Sequence, residues 1–105
     1  MIKAKFYKSA GNKLRGFSVS GHAGLAESGF DVCCASVSSA VMLTANTITE
    51  AFSIKPLVSV EDDQIRLMLN EDNDTLDKIL LGFLLHMQCL SEDFSGFISI
   101  TILEV

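Results

Sequence analysis

The sequence contains no tryptophan, a single proline and only three cysteines among its 105 residues. An odd number of cysteines, two of them adjacent as Cys33 and Cys34, does not fit a disulfide framework. The basic start of the chain lacks the apolar stretch of a secretory signal, and we expect no apolar run long enough to cross a bilayer. The sequence therefore predicts a cytoplasmic protein that does not enter a membrane.

Basic residues are also scarce, since eight Lys and Arg face thirteen Asp and Glu and the net charge is −5. This balance argues against direct binding of nucleic acid, where cationic side chains supply most of the affinity. It suits a basic partner instead. The chain is 49% hydrophobic and has no repeat or linker, which predicts one folded domain over residues 1–105.

The hydrophobic pattern changes period along the chain. Apolar and polar residues alternate in five segments, and we expect strands at 2–8, 13–20, 57–61, 64–70 and 96–104. Apolar residues recur every three or four positions in two segments, which predicts helices at about 31–52 and 74–90. The order ββαββαβ predicts an α+β domain of two layers, with both helices on one face of a mixed or antiparallel sheet.

Residues 21–38, GHAGLAESGFDVCCASVS, hold one of the two histidines and two of the three cysteines. A cysteine nucleophile acts as the thiolate, and both a helix N-terminus and a nearby histidine favour that form. The pattern places His22 at the end of a strand and the cysteines in the first helical turn, with a glycine loop between them. First-turn N–H groups also suit an oxyanion hole. The alternative is a structural role for buried cysteines.

The position in the helix distinguishes the two cysteines. Cys33 lies one turn before Val37, which is predicted core, whereas Cys34 shares a flank with Asp31 and Ser38. A reachable polar flank suits a nucleophile, so the pattern favours Cys34. Asp31 has two readings, which the sequence leaves open: it caps the helix, or it orients His22.

A zinc site is the other chemistry that Cys and His offer. Adjacent cysteines do not have the spacing of zinc ligands, and His86 with Cys89 supplies only one further pair on the second helix. We therefore expect no metal and no cofactor.

The motif from Gly21 to Ser38 resembles that of the bacterial ribosomal-processing cysteine protease Prp family. The family pattern is Gly-His, about eleven residues, then Cys in a context similar to G-x-D-aliphatic-aliphatic-Cys-Ala-small-Val-Ser. The resemblance implies that His22 and Cys34 are catalytic and that Asp31 and Ser38 support them. Cys33 departs from the pattern, because the family usually has an aliphatic residue there, and Phe30 stands where a polar residue is common.

The resemblance further implies a homodimeric endopeptidase with a mobile loop between His and Cys. Such an enzyme removes the N-terminal extension of large-subunit ribosomal protein twenty-seven, a basic substrate, next to paired aromatic residues. Two other functions compete with this one: a non-enzymatic ribosome-associated binding module, and a thiol redox protein. The lack of a C-x-x-C motif counts against the redox protein.

Overall fold

The structure is a computed structural model, and it describes residues 1–21 and 30–105. The predicted order of elements and the α+β class are confirmed. A short π-helical segment, Thr47–Ala51, directly follows the first helix. The elements are β1 Ile2–Lys8, β2 Leu14–Ser20, α1 Phe30–Asn46, β3 Leu57–Glu61, β4 Gln64–Met68, α2 Asp74–Asp93 and β5 Ile98–Glu104.

The five strands form one mixed sheet in the order β3-β4-β2-β1-β5. β1 pairs in parallel with β5, and the other pairs are antiparallel. The β1–β2 hairpin is tight because Asn12 takes a left-handed conformation, with φ of 66°, which asparagine tolerates well. The two edge strands of the sheet are β5 and β3.

The core lies between the sheet and the helices. Along β1, Ile2, Ala4 and Phe6 are buried while Lys3 and Lys5 are exposed, the alternation expected of a half-covered strand. The ring of Phe83 on α2 packs against Phe6 and Phe17, at centroid distances of 5.4 and 4.9 Å. Such offset and edge contacts are favourable beyond the area that they bury, and they fix α2 over the β1–β2 half of the sheet.

The N-terminal end of α2 is tied to the β1–β2 hairpin by polar contacts. Asn73 caps the helix by accepting a hydrogen bond from the backbone N–H of Leu76 at 2.9 Å. The buried carboxylate of Asp77 accepts the backbone N–H of Leu14 at 2.8 Å. These bonds satisfy donors that would otherwise be buried without a partner.

The first helix differs from its predicted course at its C-terminal end. It is α-helical to Asn46 and then continues as the π-helical turn, which closes with a hydrogen bond from the N–H of Phe52 to the carbonyl of Thr47. The Thr44, Thr47 and Thr49 hydroxyls each donate to the carbonyl four residues earlier. Such side-chain bonds compete with the regular helical ladder and loosen it.

The expectation of no membrane-length apolar run is corrected at the same helix. By length and composition, Val32–Ala51 is apolar enough to cross a membrane. Within it, Cys33, Val37 and Ile48 have no exposed surface and belong to the core cluster with strand residues. One face of the segment therefore packs against the core of this domain, and its many small Ser, Thr and Ala residues permit that close packing.

Candidate active site

The face of α1 that lies against the sheet is set by its buried residues. Cys33 and Val37 are completely buried, and Val41, Thr44 and Ile48 continue the same stripe. Cys34 is only partly buried, at the edge of the core cluster. The two adjacent thiols therefore differ in access: Cys33 is sealed in the core and Cys34 is within reach of solvent.

A groove of about 530 Å³ separates α1 from α2. From α1 it is lined by residues such as Ser36, Ala40 and Leu43, and from α2 by Phe83 and His86. Each residue turns an α-helix by about 100°. Cys34 and Ser38 therefore lie on the flank of α1 that faces away from this groove.

The strand order shows what lies beneath that other flank. α2 packs over β2 and β5, and Leu67 on β4 is completely buried in the cluster that also holds Cys33. We therefore place α1 over β4, with its Cys34 flank toward the β3 edge of the sheet. Cys34 and Ser38 are both half-buried, and their functional grouping stays a prediction.

The start of α1 gives Cys34 a favourable electrostatic position. α1 begins at Phe30, so Cys33 and Cys34 are its fourth and fifth residues, slightly later than the expected first turn. The first four N–H groups of a helix have no helical acceptor. Because helical side chains lean toward the N-terminus, we expect the thiol of Cys34 to lie over the turn that carries these N–H groups, a position that favours a thiolate and an oxyanion.

Cys33 has the opposite environment. Burial raises the pKa of the Cys33 thiol, and the neighbouring Cys34 thiol raises it further. A thiol that stays protonated and has no exposed surface is a poor nucleophile. Cys33 thus has the properties of a packing residue, in the position where the Prp pattern has an aliphatic side chain.

The other predicted site residues are described only in part. His22 and most of the expected loop at 21–30 lie outside the described residues. Asp31 is the second residue of α1, so it lies inside the first turn rather than before it, and its side chain is outside the described part. The roles of His22, Asp31 and Ser38 remain predictions.

Gly21, the first residue of the motif, is where the chain leaves the sheet. Its φ is +91°, and a Cβ at this position would clash with the backbone carbonyl of Met1. Its N–H donates to the carbonyl of Asp63 at 3.2 Å, which fixes the end of β2 beside the β3–β4 turn. Glycine is required here because only it tolerates both the conformation and the close approach.

The residues that could serve a metal are dispersed. Within 1–21 and 30–105, no three His, Cys, Asp or Glu side chains are grouped as a metal site. Cys33 is buried, Cys89 is exposed on α2, and His86 lines the groove between the helices. The three cysteines form no disulfide.

The sequence pattern does not predict the exposure of two apolar residues on β3. Val58 and Val60 on β3 lie on the same face of the sheet as buried Leu67 and partly buried Ile65, with which they pair, yet they are 49% and 72% exposed. Their alternation with Ser59 signals a strand. That alternation does not show that both faces of β3 are exposed.

The match to a family model identifies the class of protein. The chain belongs to the cysteine protease Prp family, whose model matches residues 1–99. Among solved structures, it is similar to SMU.848 from Streptococcus mutans, with 26% identity, a TM-score of 0.82, and coverage of 100% of this chain and 96% of that chain. No curated protein gives a significant match.

Two further similar structures are of the essential ribosomal processing protease Prp from S. aureus. The complex with a substrate peptide has 23% identity and a TM-score of 0.89, and covers 97% of this chain and 99% of that chain. The complex with a covalently linked product peptide has 24% identity and a TM-score of 0.84, with the same coverage. At these identities the two matches establish the shared fold.

Proposed function

We propose that this protein is a cysteine endopeptidase that removes the N-terminal extension of large-subunit ribosomal protein twenty-seven during ribosome maturation. Membership of the cysteine protease Prp family supports the reaction class. The observation that carries the proposal is the contrast between the two adjacent thiols. Cys33 is sealed in the core, whereas Cys34 is partly exposed at the start of a helix, on the flank that faces away from α2.

In the proposed reaction His22 takes the proton of the Cys34 thiol, and the thiolate attacks the scissile carbonyl carbon. The first-turn N–H groups of α1 stabilise the negative oxygen of the tetrahedral intermediate. His22 then gives its proton to the leaving amine as the C–N bond breaks and a thioester forms on Cys34. Water hydrolyses the thioester with His22 again as base, which restores the thiol. Asp31 and Ser38 support these two groups.

The proposal also includes where and with what the enzyme works. The acidic chain, with a net charge of −5, suits a strongly basic ribosomal protein as substrate. We propose that it acts in the cytoplasm as a homodimer, without binding nucleic acid or a membrane directly.

The test is to incubate the purified protein with the extended ribosomal protein and to measure the product mass. A single cut beside the paired aromatic residues is expected, with none by the His22→Ala variant. If the extended protein binds but stays intact, the chain is a ribosome-associated binding module and the proposal is wrong.

A further inference from the structure

The β3 edge of the sheet carries an exposed apolar surface. It consists of Val58 and Val60 on β3 with Ile65 on β4, and we call it the β3 strip. Register puts all three side chains on the helix-bearing face, because Val58 pairs with buried Leu67 and Val60 pairs with Ile65. Cross-strand partners project to the same side of a sheet. The strip is thus a continuation of the core floor past the edge of α1.

The chain path puts Cys34 at one end of this strip. Five residues join the end of the π-helical turn at Ala51 to the start of β3 at Leu57, so the C-terminal end of the helix lies near the start of β3. α1 has 17 residues and β3 has five, which correspond to about 25 Å and about 17 Å. From these lengths we place Cys34, near the start of α1, toward the Val60 end of β3.

The same end of β3 is strongly acidic. Glu61, Asp62 and Asp63 follow Val60 directly and are all exposed. An apolar surface that ends in three carboxylates is complementary to a segment with apolar side chains followed or preceded by basic ones. A basic protein cut beside aromatic residues has that chemistry.

We infer that the β3 strip binds the apolar side chains of the substrate next to its scissile bond. Glu61, Asp62 and Asp63 attract the basic substrate residues beside them. The strip thereby sets substrate specificity for the reaction at Cys34. This inference rests on the proposed function. It concerns side chains that take no part in the proposed bond making or proton transfer, so its failure is separable from failure of the chemistry.

The test uses the double variant Val58→Thr/Val60→Thr, because threonine keeps the β-branched shape and strand preference of valine and removes only its apolar character. Leu57→Thr is the matched control: Leu57 lies on the same strand, is 69% exposed and projects from the opposite face. Each change is made both in the active protein and in the Cys34→Ala background. The probes are a peptide that spans the cleavage junction with its paired aromatic residues and the same peptide with those residues replaced by Ala.

The double variant should lower kcat/KM for the aromatic peptide about tenfold and raise its Kd in the Cys34→Ala background by a similar factor. Cleavage of the Ala peptide should change little, as should the rate of Cys34 alkylation by iodoacetamide. Leu57→Thr should leave all four quantities within about twofold of the parent.

Equal kinetics and affinity for the double variant and the parent would overturn the inference. So would loss of a dimer in light scattering with peptide affinity unchanged, because the strip would then be a subunit interface. If no peptide is cut by any form, the proposed function fails. The Kd measurements in the Cys34→Ala background still decide whether the strip binds the aromatic segment.

Discussion

Cys33 and Cys34 are neighbours in the chain, but a turn of about 100° per residue gives them different surroundings. Cys33 points into the core between α1 and β4 and has no exposed surface. Cys34 lies at the core edge, next to the helix turn whose N–H groups have no helical acceptor. The chemistry of the pair is therefore decided by position on the helix and not by the residue type.

Substitution of each cysteine should separate catalysis from packing. Cys34→Ala should reduce cleavage by at least about a thousandfold, because the nucleophile is lost. It should leave the fold intact, since alanine is a good helix former and the site is at the core edge. Cys33→Val should keep most of the activity, although the larger side chain is expected to cost about 1 kcal/mol of unfolding free energy. Peptide cleavage and urea unfolding measure the two effects, and an inactive Cys33→Val beside an active Cys34→Ala would reverse the assignment.

The environments also predict a difference in alkylation. The Cys89→Ser variant lacks the exposed thiol on α2. When this variant is folded, iodoacetamide at neutral pH should modify Cys34 alone. Burial holds the pKa of Cys33 above its ordinary value, so raising the pH toward 9 should still leave Cys33 unmodified until the protein is unfolded in urea. Mass spectrometry of the digested protein gives the sites, and rapid native modification of Cys33 would contradict its burial.

Among the secondary-structure elements, the motif from Gly21 to Ser38 depends on the connection between β2 and α1. Gly21 directly follows β2, has φ of +91° and lies close to the Met1 backbone. Its N–H donates a hydrogen bond to the carbonyl of Asp63, which anchors it to the β3–β4 turn. The backbone conformation of Gly21 is therefore set by its close packing against Met1 and its hydrogen bond to Asp63.

Two glycine substitutions test this role as a pair. Gly21→Ala should destabilise the protein by about 2 kcal/mol or more and lower activity, because alanine is strained at positive φ and meets the Met1 backbone. Gly82→Ala, on the exposed face of α2, should stabilise it by about 0.5–1 kcal/mol, since helical glycine is unfavourable. Among the described residues, no atom beyond the local helix lies within 4 Å of a Cβ at Gly82. Thermal unfolding measures both changes, and equal effects would show that Gly21 has no special backbone role.

Much of the fold could be predicted because local pattern and final burial coincide. Alternation in Ile2–Lys8 and the stripe of α2 point to the same core that the structure has. The π-helical turn could not be predicted, because it depends on competition between Thr hydroxyls and the helical ladder. The exposure of Val58 and Val60 depends on where α1 lies across the sheet, which no local pattern specifies. The preference for Cys34 over Cys33 followed from helical periodicity, because Val37 marks the buried stripe.

At the scale of the whole molecule, charge and apolar surface have separate tasks. A net charge of −5 acts over several ångströms and favours the approach of a basic protein, whereas the β3 strip acts only on contact. Approach and recognition should therefore respond differently to ionic strength.

A change in ionic strength should distinguish long-range charge attraction from recognition at the β3 strip. Raising ionic strength from about 0.05 to about 0.5 M should slow association with the intact basic ribosomal protein about tenfold or more, because screening removes the long-range attraction. A short neutral peptide across the cleavage site should be cut at nearly the same rate at both salt concentrations. Stopped-flow association and peptide kinetics supply the two numbers. Equal salt dependence for protein and peptide would exclude steering by net charge.

Attack on the substrate by Cys34 can be tested with a covalent label that requires substrate recognition. The junction peptide is synthesised with a chloromethyl ketone in place of the scissile bond, so that a recognised peptide alkylates the attacking thiolate. After incubation with the native protein, tandem mass spectrometry locates the adduct. If Cys34 is the nucleophile, one peptide per chain is attached to Cys34, and none is attached to the Cys34→Ala variant. An adduct on Cys33 or Cys89 in the native protein would show that Cys34 is not the attacking residue.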